Sequence, residues 1–268
     1  MTTILMTGAA GGVGTQLRPY LKQMFDRVML SDIKPIDDLA DNEAFVRADL
    51  GDMAALEGVC DGIHGVIHLG GQPNEADWET MLERNLVGCY NLFEAARRKN
   101  VKRIVFASSN HAIGFYPRRR LINEDNRVRP DTRYGVSKAF GEALGSLYAD
   151  KYGMGVMSIR IGNVDYKPAD KRRMSIWIHP EDLAQLCQIA MNHPEMHNEV
   201  VFGNSHCERN WWDNKAAYAL GYRPKHHAED HVNHAMAEQA KLGDDPIGDR
   251  FHGGGFCAIE FTGDIDRF

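Results

Sequence analysis

The chain has 268 residues, is 43% hydrophobic and 25% charged, and carries a net charge of −6, which suits one globular core or a core with a cap and disfavours non-specific binding to nucleic acid. No apolar stretch approaches the roughly 20 residues needed to cross a bilayer, so no membrane partner is expected. Five scattered cysteines, never in a Cys-x-x-Cys pair, argue against a disulfide framework and a zinc knuckle. The N-terminus runs straight into Thr3-Ile4-Leu5-Met6-Thr7 without a secretory pattern, and a reduced, cytoplasmic protein is the expectation.

Short β-branched runs predict strands at Thr3–Thr7, Arg27–Ser31, Ala44–Ala48, Gly65–Leu69, Arg103–Ala107 and Val156–Arg160. Helical stretches fall between them at Val13–Met24, Asp52–Val59, Glu79–Lys99 and Tyr134–Tyr152. This alternation predicts an α/β fold with a doubly wound parallel sheet, the Rossmann arrangement, whose ligand crevice opens where the strand order reverses. Beyond about residue 161 the pattern loosens into a helix at Glu181–Met191, a short strand near Val200–Phe202 and Trp211-Trp212. The expected division is a cofactor-binding core over 1–165 and a small substrate cap over 166–268.

After the first strand, Gly8-Ala9-Ala10-Gly11-Gly12-Val13-Gly14 opens a helix with Gly-x-x-Gly-x-x-Gly spacing. Glycines there permit a tight turn and let backbone N–H groups approach a pyrophosphate at a helix N-terminus. Asp32 ends the second strand, where a carboxylate accepts hydrogen bonds from an adenosine ribose and repels a 2′-phosphate, so NAD is expected over NADP. Asp49 and Leu50 after the third strand suit the adenine, and Leu69-Gly70-Gly71 after the fourth brings backbone close to the cofactor.

Tyr134-Gly135-Val136-Ser137-Lys138 sets a phenol and an ammonium four residues apart on one helical face. A phenol is a weak base at neutral pH, and a neighbouring cation favours its phenolate, which takes a proton from an alcohol as hydride leaves carbon. Ser108-Ser109 follows the fifth strand, and the second hydroxyl reaches the same reacting oxygen. The catalytic candidates are therefore Ser109, Tyr134 and Lys138.

Together the glycine loop, the serine after strand five and the tyrosine–lysine helix resemble the extended, epimerase-like branch of the short-chain dehydrogenase/reductase superfamily over about the first 165 residues. Arg84-Asn85-Leu86 and Arg160-Ile161-Gly162-Asn163-Val164 are similar to further motifs of that branch. The resemblance implies that Asn85, Tyr134, Lys138 and Ile161 adjoin the cofactor and that the two long helices mediate homo-oligomerisation. A closer resemblance, to the uronate dehydrogenase family, rests on Phe106-Ala107-Ser108-Ser109-Asn110-His111-Ala112-Ile113-Gly114-Phe115, on Asp182-Leu183 after Trp177, and on Trp211-Trp212-Asp213-Asn214. It implies NAD-dependent oxidation of galacturonate or glucuronate at C1 to an aldaric acid lactone. Ser109, Asn110, His111 and Tyr134 would then meet the sugar, and Arg172, within Lys171-Arg172-Arg173, matches the family's carboxylate-binding arginine.

Two segments depart from that family: Gln72-Pro73-Asn74 after strand four, and Asn163-Val164-Asp165 after strand six. Gln72 and Asn163 are substrate-contact candidates at those points, and they leave another sugar acid or a neutral aldose open. A nucleotide-sugar epimerase needs a larger C-terminal lobe than the residues after strand six supply, and a non-catalytic NAD sensor has no need of an intact Ser109, Tyr134 and Lys138. His227, His231 and His234 follow helical spacing, but no cysteine or carboxylate completes a tetrahedral set, so no metal is expected.

Overall fold

Alternate residues of the first strand, Ile4 and Met6 against Leu5, are all fully buried, which requires that both faces of the sheet be covered. The structure, a computed structural model, describes residues 2–267. Its strands are β1 (Thr3–Thr7), β2 (Arg27–Asp32), β3 (Glu43–Arg47), β4 (Gly65–His68), β5 (Arg103–Ser109), β6 (Gly155–Ile161), the short β7 (Asn163–Val164) and β8 (Trp177–Ile178), and β9 (Asn198–Gly203). Seven of these form one parallel sheet in the order β3-β2-β1-β4-β5-β6-β9, while β7 pairs with β8. The order reverses between β1 and β4, paired from Ile4 with Gly65 to Thr7 with His68, so the crevice opens beside Gly8 and Gly70.

The helices are α1 (Gly12–Met24), α2 (Met53–Val59), α3 (Trp78–Met81), α4 (Gly88–Arg98), α5 (Arg133–Tyr152), α6 (Pro180–Asn192), α7 (Lys215–Ala219) and α8 (Val232–Gln239). One sheet face packs on α1 and α6 through Leu17, Leu21, Leu186 and Met191, the other on α2, α4 and α5 through Leu56, Phe93, Leu144 and Tyr148. Caps set the ends: Asp52 accepts from Ala55 N to start α2, Thr132 accepts from Gly135 N to start α5, and left-handed Gly153 (φ +67°) ends α5.

Three features depart from the sequence-based expectation. The expected six strands become seven, because the strand near Val200 pairs with β6 rather than sitting in a cap, with α6 as its crossover. The region expected as a cap thus contributes residues 180–203 to the sheet layers. The helix expected over Glu79–Lys99 contains a π-helical turn, Leu82–Val87, between α3 and α4. A segment near residues 245–258 returns to the loop after β5, with Arg118 N donating to Arg250 O (2.9 Å) and Gly253 N to Gly114 O (2.9 Å). Among the described residues no helix is long and apolar enough to cross a membrane. All five cysteines are free, four buried and Cys207 half-buried.

Behind the crevice, Arg160 of β6 donates Nε and Nη2 to the two carboxylate oxygens of Glu142 on α5, both at 2.9 Å, and Ser108 Oγ of β5 donates to the same carboxylate at 2.6 Å. The charged side chains are 3% and 7% exposed, so each depends on the other for solvation. Glu142→Ala, which strands the guanidinium in the core, is expected to lower unfolding stability by about 3–5 kcal/mol, read from the denaturant midpoint.

Candidate active site

The ends of β1, β2, β4, β5 and β6 converge on the crevice. At the end of β1, Gly8 adopts φ +68°, and a Cβ there would stand 2.6 Å from Gly70 N; a Cβ on Gly14 would stand 2.6 Å from Ala9 O. Backbone therefore meets backbone across the switch point, which only glycine allows. Gly11 and Gly12 are exposed at the start of α1, with Val13 half-buried beside them. Asp32 closes this loop from β2: Oδ2 accepts from Ala10 N and Oδ1 from Lys34 N, each at 3.0 Å.

Leu50 packs against the positions of Gly70 and Gly88 and lines the adjoining wall. Asp49 lies exposed at the rim, its carboxylate turned to Gly51 N at 2.8 Å. After β4 the backbone runs through half-buried Leu69 to Gly71, whose φ of +134° leads into Gln72. Asn85, in the π turn, holds this loop: its Oδ1 accepts from Gln72 N (2.7 Å), and its Nδ2 donates to Gln72 O (3.0 Å) and Ser137 Oγ (3.0 Å). The amide expected beside the cofactor is thus spent within the protein, clamping Gln72 to the helix that carries Tyr134.

On α5, Lys138 Nζ donates to Ala107 O (2.9 Å) and lies 5.3 Å from the centre of the Tyr134 ring. Ser109 Oγ accepts from His111 N at 3.2 Å, which leaves its own proton for a ligand. His111 stacks on Phe256 (4.0 Å between ring centres) and meets the Tyr134 ring edge-on at 5.7 Å. Tyr134, Lys138, Ser109 and His111 thus lie together where β5 ends and α5 begins, and Ile161 ends β6 beside them.

Next to His111 opens a cavity of about 400 Å³, lined by Asn163, Arg172, Arg118, Asp245 and Phe256. Asn163 Oδ1 is buried there without a hydrogen-bond partner. Of the three consecutive basic residues, Lys171 is exposed and Arg173 pairs with Asp170, whereas Arg172 turns inward. Its Nε (3.1 Å) and Nη2 (2.6 Å) both donate to His252 O. Asn110, 1% exposed, satisfies both amide groups when Oδ1 faces Arg172 Nη2 (3.1 Å) and Nδ2 faces Ile161 O (3.2 Å). Asn110 therefore braces Arg172 from below instead of reaching into the cavity.

Burial, and then the neighbouring Arg173 and Arg118, push the Arg172 guanidinium down to about 10. No carboxylate of the described residues pairs with it, and Nη1 is left over. A bidentate arginine–carboxylate pair does occur in this region, but it is the structural one between Arg160 and Glu142.

Sequence reasoning missed Glu75, Asp131 and the wall at Gly253–Phe256. Glu75 reaches from the β4 loop to Tyr134 N (2.8 Å) and Arg133 (2.9 Å), and only its place just after Gln72-Pro73-Asn74 hinted at this. Asp131-Thr132 carried a readable cap signal for α5, but the reach of the Asp131 carboxylate did not show in sequence. The histidine-rich stretch gives stacked pairs, His226 on His179 (3.5 Å) and His227 on His206 (4.4 Å). His179, Glu181 and His226 cluster within reach of one ion, yet near-parallel stacked rings aim their lone pairs along separate planes, and His179 Nδ1 already accepts from Glu181 N.

Residues 4–168 match the model of the NAD dependent epimerase/dehydratase family. The chain belongs to that family. It is 41% identical to the uronate dehydrogenase of Pseudomonas putida, over 91% of each chain. A crystal structure of uronate dehydrogenase from Agrobacterium tumefaciens superposes with a TM-score of 0.91 at 39% identity, over 96% of this chain and 97% of that one. The NAD-dependent glucose-6-phosphate dehydrogenase of Haloferax volcanii is 34% identical over 83% of this chain and 92% of its own.

NAD is the cofactor of this oxidoreductase, and the residues present fit it. Open space beside Gly12 at the start of α1 would let a pyrophosphate approach the helix N-terminus, and Asp32, at the end of β2 against the glycine loop, could accept from an adenosine ribose. Asp32→Ala is expected to weaken NAD binding roughly tenfold, about 1.4 kcal/mol, while NADP binding changes less, both read by calorimetric titration.

Proposed function

We propose that the protein oxidises C1 of a free uronate, galacturonate or glucuronate, to the aldaric acid lactone, passing hydride to NAD. The observation that carries this reading is Arg172, a half-buried cation without an anionic partner, lining a cavity of monosaccharide size. A partly desolvated charge without a counter-ion is costly, and a ligand carboxylate at Nη1 would relieve it.

Bound NAD supplies the hydride acceptor. Tyr134 accepts the proton of the C1 hydroxyl as the C1–H bond gives up its electron pair, so the sugar loses one proton and one hydride. Lys138, held by Ala107 O, places positive charge beside the phenol throughout. Ser109 donates its free proton to the reacting oxygen and fixes its position. Asn163 Oδ1, buried and unpartnered, accepts from a sugar hydroxyl or from the cofactor's amide. His111 completes the sugar's polar surroundings, while Gln72, pinned through its backbone by Asn85, borders them. Asp170, Asp245 and Asp249 around the cavity disfavour the doubly charged phosphate of a sugar phosphate relative to a carboxylate. Exposed Val87 and Tyr90 beside Val136, Leu147 and Tyr152 on α5 suit burial against a second copy of the chain.

An NADH-absorbance screen over galacturonate, glucuronate, glucose 6-phosphate and neutral aldoses tests the assignment. Stoichiometric NADH from the uronates is expected; no net reduction would favour an epimerase, and preference for the phosphate or for neutral sugars would overturn the uronate reading. Tyr134→Phe is expected to lower kcat by roughly 10²–10⁴ while retaining NAD binding, in contrast to a cofactor sensor. Arg172→Met is expected to raise KM for uronates by roughly thirtyfold or more, a loss of at least about 2 kcal/mol, and to leave KM for neutral sugars nearly unchanged.

A further inference from the structure

We propose that Asp131 is a positioning residue that fixes the tautomer of His111 and thereby makes its Nε2 an acceptor for a sugar hydroxyl. This rests on the sugar-dehydrogenase reading above. Asp131 precedes α5, and its side chain is fully buried. His111 Nδ1 lies 2.8 Å from Asp131 Oδ2, Thr132 Oγ1 donates to Oδ1 at 3.0 Å, and Cys257 Sγ donates to Oδ2 at 3.7 Å. Side chains from three separate segments converge on one carboxylate, which has only acceptors to offer them when ionised.

The surroundings are shaped to admit that carboxylate. A Cβ on Gly114, after β5, or on Gly253, in the returning segment, would overlap Asp131 Oδ2, so two distant glycines leave the space open. The His111 ring is held on one face by Phe256 and at its edge by Tyr134, and its side chain is only 13% exposed. With Nδ1 bound to a carboxylate, the ring proton of a neutral imidazole resides on Nδ1, and Nε2 carries the lone pair.

Nε2 has no partner among the described residues, and His111 borders the cavity. The group offered to substrate is then an acceptor, which selects for an O–H at that point. The Asp131 carboxylate thus sets what His111 can recognise without touching the sugar.

The test is NMR of protein carrying 15N-histidine, in alkaline buffer where imidazole is neutral, joined to kinetics of Asp131→Asn with a uronate. Native His111 is expected to show a protonated Nδ1 and an unprotonated Nε2. In Asp131→Asn that preference is lost, and KM rises roughly tenfold with kcat changed less. In a His111→Asn background the Asp131 substitution is expected to add little. A native His111 protonated at Nε2 overturns the proposal, as does an Asp131→Asn effect on KM undiminished when His111 is absent. If Asp131→Asn does not fold, the native spectrum still decides. Absence of turnover by native protein on uronates would count against the proposed function, while the tautomer would continue to decide the role of Asp131.

Discussion

The ion pair of Arg160 with Glu142, joined by Ser108, is the constraint on which the site depends. Glu142 lies one turn beyond Lys138 on α5, Arg160 lies just before Ile161 on β6, and Ser108 lies just before Ser109 on β5. One buried carboxylate therefore sets the height of the catalytic helix against the two strands whose ends deliver Ser109 and Asn163. Two charged groups in the core are expensive to desolvate, and apolar residues of equal volume would hold the layers together as well. Apolar packing is tolerant of small slides, whereas a bidentate pair with both members buried has one register. The pair contributes geometry at the point where Tyr134, Lys138, Ser109 and His111 meet.

Much of the cofactor half was legible in sequence, because its determinants are local. Gly14 needs only the turn and the helix that contain it, Tyr134 and Lys138 share one helix, and the strands announce themselves by β-branched runs. The cavity side is assembled from distant segments, and there the sequence offered candidate residues but not the partners that set their places. Arg172 stood in a run of three basic residues, and what singles it out is His252, 80 residues later, whose carbonyl takes two of its nitrogens. Asn110 read as a sugar contact, but its place beneath Arg172 depends on Ile161. The π turn that aims Asn85 at Gln72 has no mark in a pattern that otherwise reads as continuous helix.

Positive charge is distributed with the same economy. Lys138 gives up one hydrogen bond to Ala107 O, which anchors it beneath the phenol, while Arg172 gives up its fork to a backbone carbonyl. Neutral acceptors hold both cations in place without cancelling their charge. Carboxylates in those positions would have fixed the side chains equally well and removed the field that a reacting alcohol and an anionic sugar would need.

The returning segment near residues 245–258 has a consequence for how the protein comes into being. Asn110 and His252, which flank the Arg172 guanidinium, are 142 positions apart, and the wall around Phe256 lies later still. During synthesis on the ribosome, the glycine loop and the first strands emerge long before that wall exists. Until those residues follow, the cavity beside Arg172 lacks one of its walls, and it is enclosed only after residues near 256 have been made.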